Sequence, residues 1–392
     1  MKVALVFDNF GPYHLARLRA ASQACTLLAL QMNHRSRDYN WEPNSSPEGF
    51  RSATFNSAGV PRFFKGLMRD RWLRRALAEF APDCVFVPGW SRGYSLECIR
   101  WCRTNSIPVV IMSETTEQDA ARGFCKEWLK TRIVGRCAAA LVGGAPHAEY
   151  LIKLGMATQR IFQGYDAVDN SYFAGKAQAA RDHAAELRRK FDLPARYLLA
   201  SARFIVKKNL PRLVRAFARY HRAATTSEVE KGEAPNNRSW SLVLLGDGAL
   251  RPALVQLISQ LGLEGFVRLP GFKQYAELPV YYGLADAFVH ASSSEPWGLV
   301  VNEAMASGLP VLVSDHCGCA PDLVREGLNG FTFDPEDVEQ LAQLMLDAWG
   351  RKSKSTMMGK ASARIITNWG LDRFSKGFRL AAEMATGGHF SA

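Results

Sequence analysis

"AFVHASSSEPWGLVVNEAMASGLPVLVS", residues 287–314, runs from a β-branched strand through a polar loop into a short apolar helix, stops at Gly308, and resumes as a second β-branched strand. Strand, helix and strand in that order read as a βαβ unit, whose two strands lie parallel in one sheet. Two carboxylates interrupt the apolar pattern: Glu295 in the loop ahead of the helix and Glu303 inside it, with seven residues between them. Acids in an element that otherwise reads as core need a reason.

The same alternation extends in both directions. Before the midpoint, strands are expected at "KVALVF" (2–7), "CTLLALQ" (25–31), "DCVFVPG" (83–89), "PVVIMS" (108–113) and "AALVGG" (139–144). Helical segments such as Leu15 to Ser22 and Ser95 to Thr104 lie between them. A second series follows at "YLLASA" (197–202), "SLVLLGDG" (241–248), "FVRLPG" (266–271), "AFVHASS" (287–293) and "PVLVS" (310–314). The pattern predicts an α/β protein with two tandem doubly wound, Rossmann-like domains facing across a cleft. Their expected bounds are 1–175 and 197–368, with a charged, Ala-rich linker at 176–196 and a C-terminal amphipathic helix at 369–392 that returns toward the first domain. The polar segment "TTSEVEKGEAPNNRS" (225–239) reads as a surface insertion.

At 392 residues the chain is too long for one ordinary core, and 47% hydrophobic with 22% charged residues is average for a globular protein. The first apolar run ends at Asp8, so the start reads as a strand and not as a signal peptide. No stretch reaches the roughly 18–20 apolar residues of a spanning helix. The eight cysteines show neither disulfide-framework nor zinc spacing, which fits reduced thiols in the cytoplasm. Net charge is +12. The densest basic stretch, residues 61–80, combines Phe64, Leu67, Met68, Trp72 and Leu77 with Arg62, Lys65, Arg69, Arg71, Arg74 and Arg75. It fits either a helix on an anionic membrane surface or an ordinary amphipathic helix with a basic outer face. No nucleic-acid motif accompanies the charge.

Chemistry is expected where parallel strands end. Gly298 opens the helix after Glu295, so the amides of Gly298, Leu299 and Val300 are first-turn donors suited to a phosphate. Glu303, one turn further in, leans back toward that terminus. It reads either as a dipole-satisfying acid or as a ligand for a ribose hydroxyl, and Glu295 either as a cap or as a side chain projecting into the same opening. Arg203 and Lys208, after the first strand of the second series, can clamp a diphosphate or form a solvated basic face. "LLGDG" (244–248) adds a glycine turn.

The order Arg203/Lys208, Gly246-Asp247-Gly248, "RLPGF" (268–272), the E-x7-E pair of Glu295 and Glu303, and "GLNGFTFDP" (327–335) resembles the GT-B-fold retaining glycosyltransferases of family 4. The likeness spans most of 197–345 and is weaker at Gly11 and at "ATQRIFQGYDAVDNSYF" (157–173). It implies an acceptor-binding first domain and a nucleotide-sugar-binding second one. Arg203 and Lys208 would hold the donor diphosphate with the Gly298, Leu299 and Val300 amides. Glu303 would take the ribose, Gly271 and Phe272 the base, and Glu295 the transferred sugar, with Gly11 and Gly246 also on the donor side. The sequence departs from the family where "MSETTEQD" (112–119) lacks the usual histidine, leaving Ser113 and Glu114 as acceptor-side candidates beside His14. It departs again where "FGPYH" replaces a Gly-Gly pair and "GCAPD" a Gly-Gly-x-Pro-Glu turn. His14 reads equally as a helix-start residue.

The implied reaction is retaining transfer of a hexosyl-type group from a UDP- or GDP-linked sugar to an acceptor hydroxyl. No Asp-x-Asp motif occurs, so neither metal nor other cofactor is expected. The basic aromatic stretch favours a lipid-linked glycan in bacterial surface polysaccharide synthesis, made by a cytoplasmic protein peripheral to the inner membrane face. A small soluble acceptor is the alternative, followed by a sugar-nucleotide epimerase and a silent nucleotide-sugar-binding protein. An oxidoreductase would need a G-x-G-x-x-G turn after the first strand, and "DNFGPYH" does not supply one.

Overall fold

A computed structural model of the chain describes residues 1–33, 49–56, 58–61, 63–119, 122–230, 240–349 and 352–388. Arg62 and residues 231–239 of the expected insertion lie outside the described residues. The chain divides into two compact units, Met1–Asp169 with Trp369–Ala392, and Asn170–Asn368. Each is a Rossmann-like α/β unit built on one parallel sheet.

In the first unit the strands are β1 (Lys2–Phe7), β2 (Thr26–Gln31), β3 (Arg51–Thr54), β4 (Cys84–Pro88), β5 (Val109–Ser113), β6 (Ala139–Val142) and β7 (Ile161–Gln163). They pair in the order β3-β2-β1-β4-β5-β6-β7. Its helices are α1 (Pro12–Ser22), α2 (Lys65–Phe80), α3 (Gly93–Thr104), α4 (Phe124–Val134) and α5 (Ala145–Lys153). The second unit carries α6 (Asn170–Asp182), α7 (Ala184–Lys190), α8 (Leu210–Glu230), α9 (Arg251–Gln260), α10 (Leu278–Leu284), α11 (Leu299–Ala306), α12 (Ala320–Leu323), α13 (Val338–Trp349) and α14 (Lys352–Ile366). Its strands are β8 (Tyr197–Ser201), β9 (Ser241–Leu245), β10 (Val267–Gly271), β11 (Ala287–His290), β12 (Val311–Ser314) and β13 (Gly330–Phe333), ordered β10-β9-β8-β11-β12-β13. The last helix, α15 (Leu371–Thr386), belongs to the first unit.

The central strands are buried on both faces because helices cover both faces. In the first unit α2, α3, α4 and α5 place Leu77, Cys98, Val134 and Leu151 on one side of the sheet. On the other side α1 and α15 contribute Leu18, Phe374 and Phe378. Near-continuous Val/Leu/Ile runs such as "LVLL" suit strands covered in this way, each large side chain contributing about 1.5–3 kcal/mol.

Two expectations change. Residues 176–196 are not a linker: α6 and α7 occupy much of the segment, with Phe173, Ala177 and Ala180 of α6 buried. A Cβ on Gly283 of α10 would meet the backbone of Ala177, so the two helices approach at a glycine contact, and an Ala-rich sequence is what permits it. Residues 225–230 are not part of a loop but the last turns of α8. Thr225 and Thr226 turn their hydroxyls back onto the carbonyls of His221 and Arg222, which lets polar residues continue a helix.

Candidate active site

In the second sheet the strand order reverses between β8 and β11, where consecutive connections leave in opposite directions. A parallel sheet opens a crevice at the carboxyl ends of such strands. Lys208 lies in the loop after β8 and Glu295 in the loop after β11, so both reach this opening.

The loop after β8 is shaped by its neighbours. Phe204 N–H donates to the Asp247 carbonyl at 2.8 Å, and Leu250 N–H to the Phe204 carbonyl at 3.0 Å. Gly246 and Gly248 both have positive φ, and a Cβ on either would strike the backbone of Ala202 or Phe204. Gly246 was expected on the donor side; the structure gives it a packing reason in addition. Val206–Lys208 then makes one 3-10 turn, ended by Asn209 in the left-handed region at φ 55°. Asn209 Nδ2 donates to the Pro335 carbonyl at 2.7 Å, which anchors the residue following Lys208.

Lys208 Nζ forms an ion pair with Glu295 Oε2, and both side chains are nearly buried. His290, the last residue of β11, brings Nε2 to 3.1 Å from the same oxygen. Ser292 Oγ lies 3.3 Å from that oxygen and 3.2 Å from His290 Nε2. A carboxylate oxygen only accepts, so Nε2 carries the imidazole proton and the serine hydroxyl donates. The loop is pinned from behind: Glu295 N–H donates to the His316 carbonyl at 3.2 Å, and Gly318 N–H to the Glu295 carbonyl at 2.9 Å.

Burial alone would raise the Glu295 pKa, but the His290 hydrogen bond and the Lys208 charge outweigh it and hold the carboxyl well below the usual range. Glu295 is therefore ionised throughout the neutral range. Burial pushes the His290 imidazole down, against the opposing pull of Glu295, which favours its neutral form. Among the described residues, Glu295 Oε2 thus meets one cation and two neutral donors.

Gly298 caps α11 at φ 104°, and its absent Cβ would stand 3.4 Å from Glu295 Cγ and 3.5 Å from Cys319 Sγ. The helix start is therefore beside Glu295. Val301 N–H makes the bond back to the Gly298 carbonyl at 2.8 Å, so the Leu299 and Val300 amides precede the first intrahelical bond. Trp297 Nε1 donates to Asn302 Oδ1 at 2.9 Å and locks the loop onto the helix.

Of the residues singled out from the sequence, Lys208, Glu295 and Gly298 converge here, with Leu299 and Val300 following on the helix. Arg203 is half-buried on the same loop as Lys208. Glu303 is completely buried on α11, next to the Tyr282 hydroxyl, whose pKa is raised by burial and then by the Glu303 charge. Gly271, at φ 85°, ends β10 and its carbonyl accepts from Gly246 N–H at 3.0 Å, with half-buried Phe272 next in the chain. These two and Gly246 sit at the ends of β9 and β10, on the β8 side of the sheet away from β11.

Gly11, His14, Ser113 and Glu114 belong to the first unit. Gly11 N–H donates to His14 Nδ1 at 3.2 Å, so His14 caps the start of α1. Burial and the Arg17 charge push its pKa down to about 3, and its ring sits edge-on to Phe7. Ser113 is buried at the end of β5 and accepts from Thr115 N–H at 3.3 Å, while Glu114 is exposed. Sequence reading missed His290 and Ser292. The only signal was a polar pair closing an apolar strand, "VHAS".

Residues 185–364, a little under half of the chain, match the family described as glycosyl transferases group 1. The chain is 29% identical over 168 residues to an alpha-monoglucosyldiacylglycerol synthase of Acholeplasma laidlawii, covering 43% of this chain and 37% of the relative. It is 30% identical over 207 residues to the lipopolysaccharide core biosynthesis glycosyltransferase LpsE of Rhizobium meliloti, covering 50% of this chain and 54% of that protein. The chain thus spans about half or less of the length of these relatives. Among solved structures, Anabaena Alr3699/HepE in complex with UDP superposes with a TM-score of 0.72 at 16% identity, over 96% of this chain and 98% of that one. Sucrose-phosphate synthase from Thermosynechococcus elongatus gives 0.73 at 18% identity, over 96% and 97%. The architecture, two parallel-sheet Rossmann-like domains, is that of the GT-B glycosyltransferases.

Proposed function

We propose that this chain is a retaining glycosyltransferase of family 4, moving a hexosyl-type group from a UDP- or GDP-linked sugar to an acceptor hydroxyl without a metal. The observation that carries the reading is the meeting of Lys208, Glu295 and the Gly298 helix start at the strand-order reversal of the second sheet. A departing nucleoside diphosphate needs positive charge where its own negative charge develops. Lys208 with Arg203 and the first-turn amides of α11 provide it, and Glu295 accepts from the hydroxyls of the transferred sugar. The acceptor proton passes to the leaving phosphate oxygen. Glu303 binds the ribose, and Gly271 and Phe272 frame the base.

The test is turnover of UDP- and GDP-sugars, with the anomeric configuration of the product read by NMR. Nucleoside diphosphate should raise the melting temperature, since a ligand of the native state stabilises it by mass action. An inverted product would remove the retaining assignment. Absence of both turnover and stabilisation across a panel of nucleotide sugars would remove the function.

For the acceptor we propose a lipid-linked glycan, reached by a cytoplasmic protein lying against an anionic membrane. No described helix is long and apolar enough to cross a membrane. Support comes from the surface of the first unit. Phe63 is 91% exposed, and Phe64, Leu67 and Met68 at the start of α2 are also exposed. Phe124, 86% exposed, with Trp128 and Leu129 marks the start of α4. Both helices follow strands of one parallel sheet, so both start on the side of the strands' carboxyl ends, with β2, β1 and β4 between β3 and β5. The exposed apolar cluster of Phe63, Phe64, Leu67 and Met68 is the contact surface we propose. Arg74 and Arg75 are engaged with Glu97 and Glu79, leaving exposed Lys65 and Arg71 as the cations better placed for lipid. The triple substitution Phe63→Ser, Phe64→Ser and Leu67→Ser is expected to weaken binding to anionic vesicles by about 10-fold or more. Equal binding by wild type and variant in a vesicle co-sedimentation assay would refute this surface.

A further inference from the structure

We propose that His290 and Ser292 are positioning residues that hold the Glu295 carboxylate in place when Lys208 leaves it for a nucleoside diphosphate. The inference rests on the sugar-transfer reading above and adds a task that reading does not assign.

The problem is visible in the geometry. Lys208 and Glu295 are joined to each other, yet the reaction asks Lys208 to face a diphosphate and Glu295 to face a sugar. While the ion pair is closed, neither is fully available. Opening it leaves an almost buried carboxylate without its cation, and an isolated buried charge is strongly disfavoured. Such a group would swing away, admit water or take up a proton.

Two donors prevent this. His290 Nε2 at 3.1 Å and Ser292 Oγ at 3.3 Å address the same Oε2 as Lys208, and neither depends on the lysine for its position. His290 closes β11 with its ring nearly parallel to Phe288 and is held by the sheet. Ser292 is fully buried two residues later. A neutral imidazole suits the task, because it donates a hydrogen bond to Glu295 without placing a second cation on the carboxylate that must accept from the sugar hydroxyls. The burial that depresses the His290 pKa keeps it neutral.

The groups facing Glu295 are Lys208 from the loop after β8, His290 and Ser292 from β11 and its loop, and Cys317 from the loop after β12. Asp315 and His316 flank that last loop at the surface. Of these, the His290 hydrogen bond is the largest contribution lowering the Glu295 pKa. Removing it loosens the hold on the carboxylate while leaving Lys208 and the helix start in place.

The experiment compares wild type with His290→Phe, His290→Gln and Ser292→Ala, using a nucleotide sugar that the wild type turns over. His290→Phe should bind the nucleoside diphosphate within about threefold of wild type while kcat falls about 10- to 100-fold, since Lys208 and the helix start are untouched. Glutamine can place an amide N–H near the position of Nε2, so His290→Gln should recover most of the rate. Ser292→Ala should lose about 3- to 10-fold in kcat.

A His290→Phe enzyme with wild-type kcat overturns the proposal, as does a His290→Gln enzyme no better than the phenylalanine variant. If His290→Phe does not fold, His290→Gln and Ser292→Ala decide: a wild-type rate for Ser292→Ala together with a poor His290→Gln counts against the role. A wild-type protein with no nucleotide-sugar turnover removes the transfer reading itself, whereas an active wild type matched by His290→Phe removes only this inference.

Discussion

Lys208→Ala is expected to lower sugar transfer roughly 30- to 1000-fold, equivalent to about 2–4 kcal/mol of transition-state stabilisation. The departing diphosphate loses a cation placed after β8 in a nearly closed site. Burial distinguishes Lys208 from a surface lysine, whose charge is screened and contributes little. Because His290 and Ser292 still address Glu295, the variant should remain folded and the defect should lie in catalysis. Arg203→Ala should fall in the same range. Steady-state kinetics with the nucleotide sugar, beside a melting curve for each variant, separates the cases. A Lys208→Ala enzyme at near-wild-type rate would leave the diphosphate without its proposed partner.

Gly246→Val is expected to destabilise the second unit by about 2–5 kcal/mol, about 1–3 from forcing bulk into filled space and the rest from backbone strain. Gly246 has φ 122°, a conformation that L side chains rarely adopt, and its Cβ would overlap the Ala202 carbonyl. Relaxation would pull the loop after β9 away from the loop after β8, breaking the Phe204–Asp247 bond that shapes the approach to Lys208. Stability and nucleotide binding should therefore fall together. The measurement is a urea unfolding curve beside a nucleotide-binding isotherm, with Gly246→Ala as the smaller step. Unchanged stability with lost binding would mean that the glycine serves the ligand alone and that the packing account is wrong.

The interior strands were legible because each is a run of apolar, β-branched residues covered by helices. The strands that escaped notice have no such run. β3, "RSAT", is largely exposed at one sheet edge, and β7, "IFQ", is half-buried at the other. Their backbones are ordered by the neighbouring strand's hydrogen bonds, which leave no mark on composition. β13, "GFTF", starts with a glycine and resembles a turn, yet a side chain at Gly330 would meet the Val311 carbonyl across the sheet. The segment at 176–196 misled for the opposite reason: alanine and charge suit a linker and a helix equally, and only the small-residue contact between α6 and α10 decides.

The sequence by itself determined the alternation of strand and helix, the two Rossmann-like units, and the chemical types gathered after β8 and β11: a lysine, an arginine, two acids and a glycine-led helix. These are local properties, written in periodicity and spacing. Only the tertiary structure decided that Lys208 and Glu295, 87 residues apart, share a bond, and that His290 and Ser292 address the same oxygen. Parallel sheets bring strand ends together through connections tens of residues long. The partner of a side chain is then set by strand order, which depends on the whole packed unit and not on any window of residues.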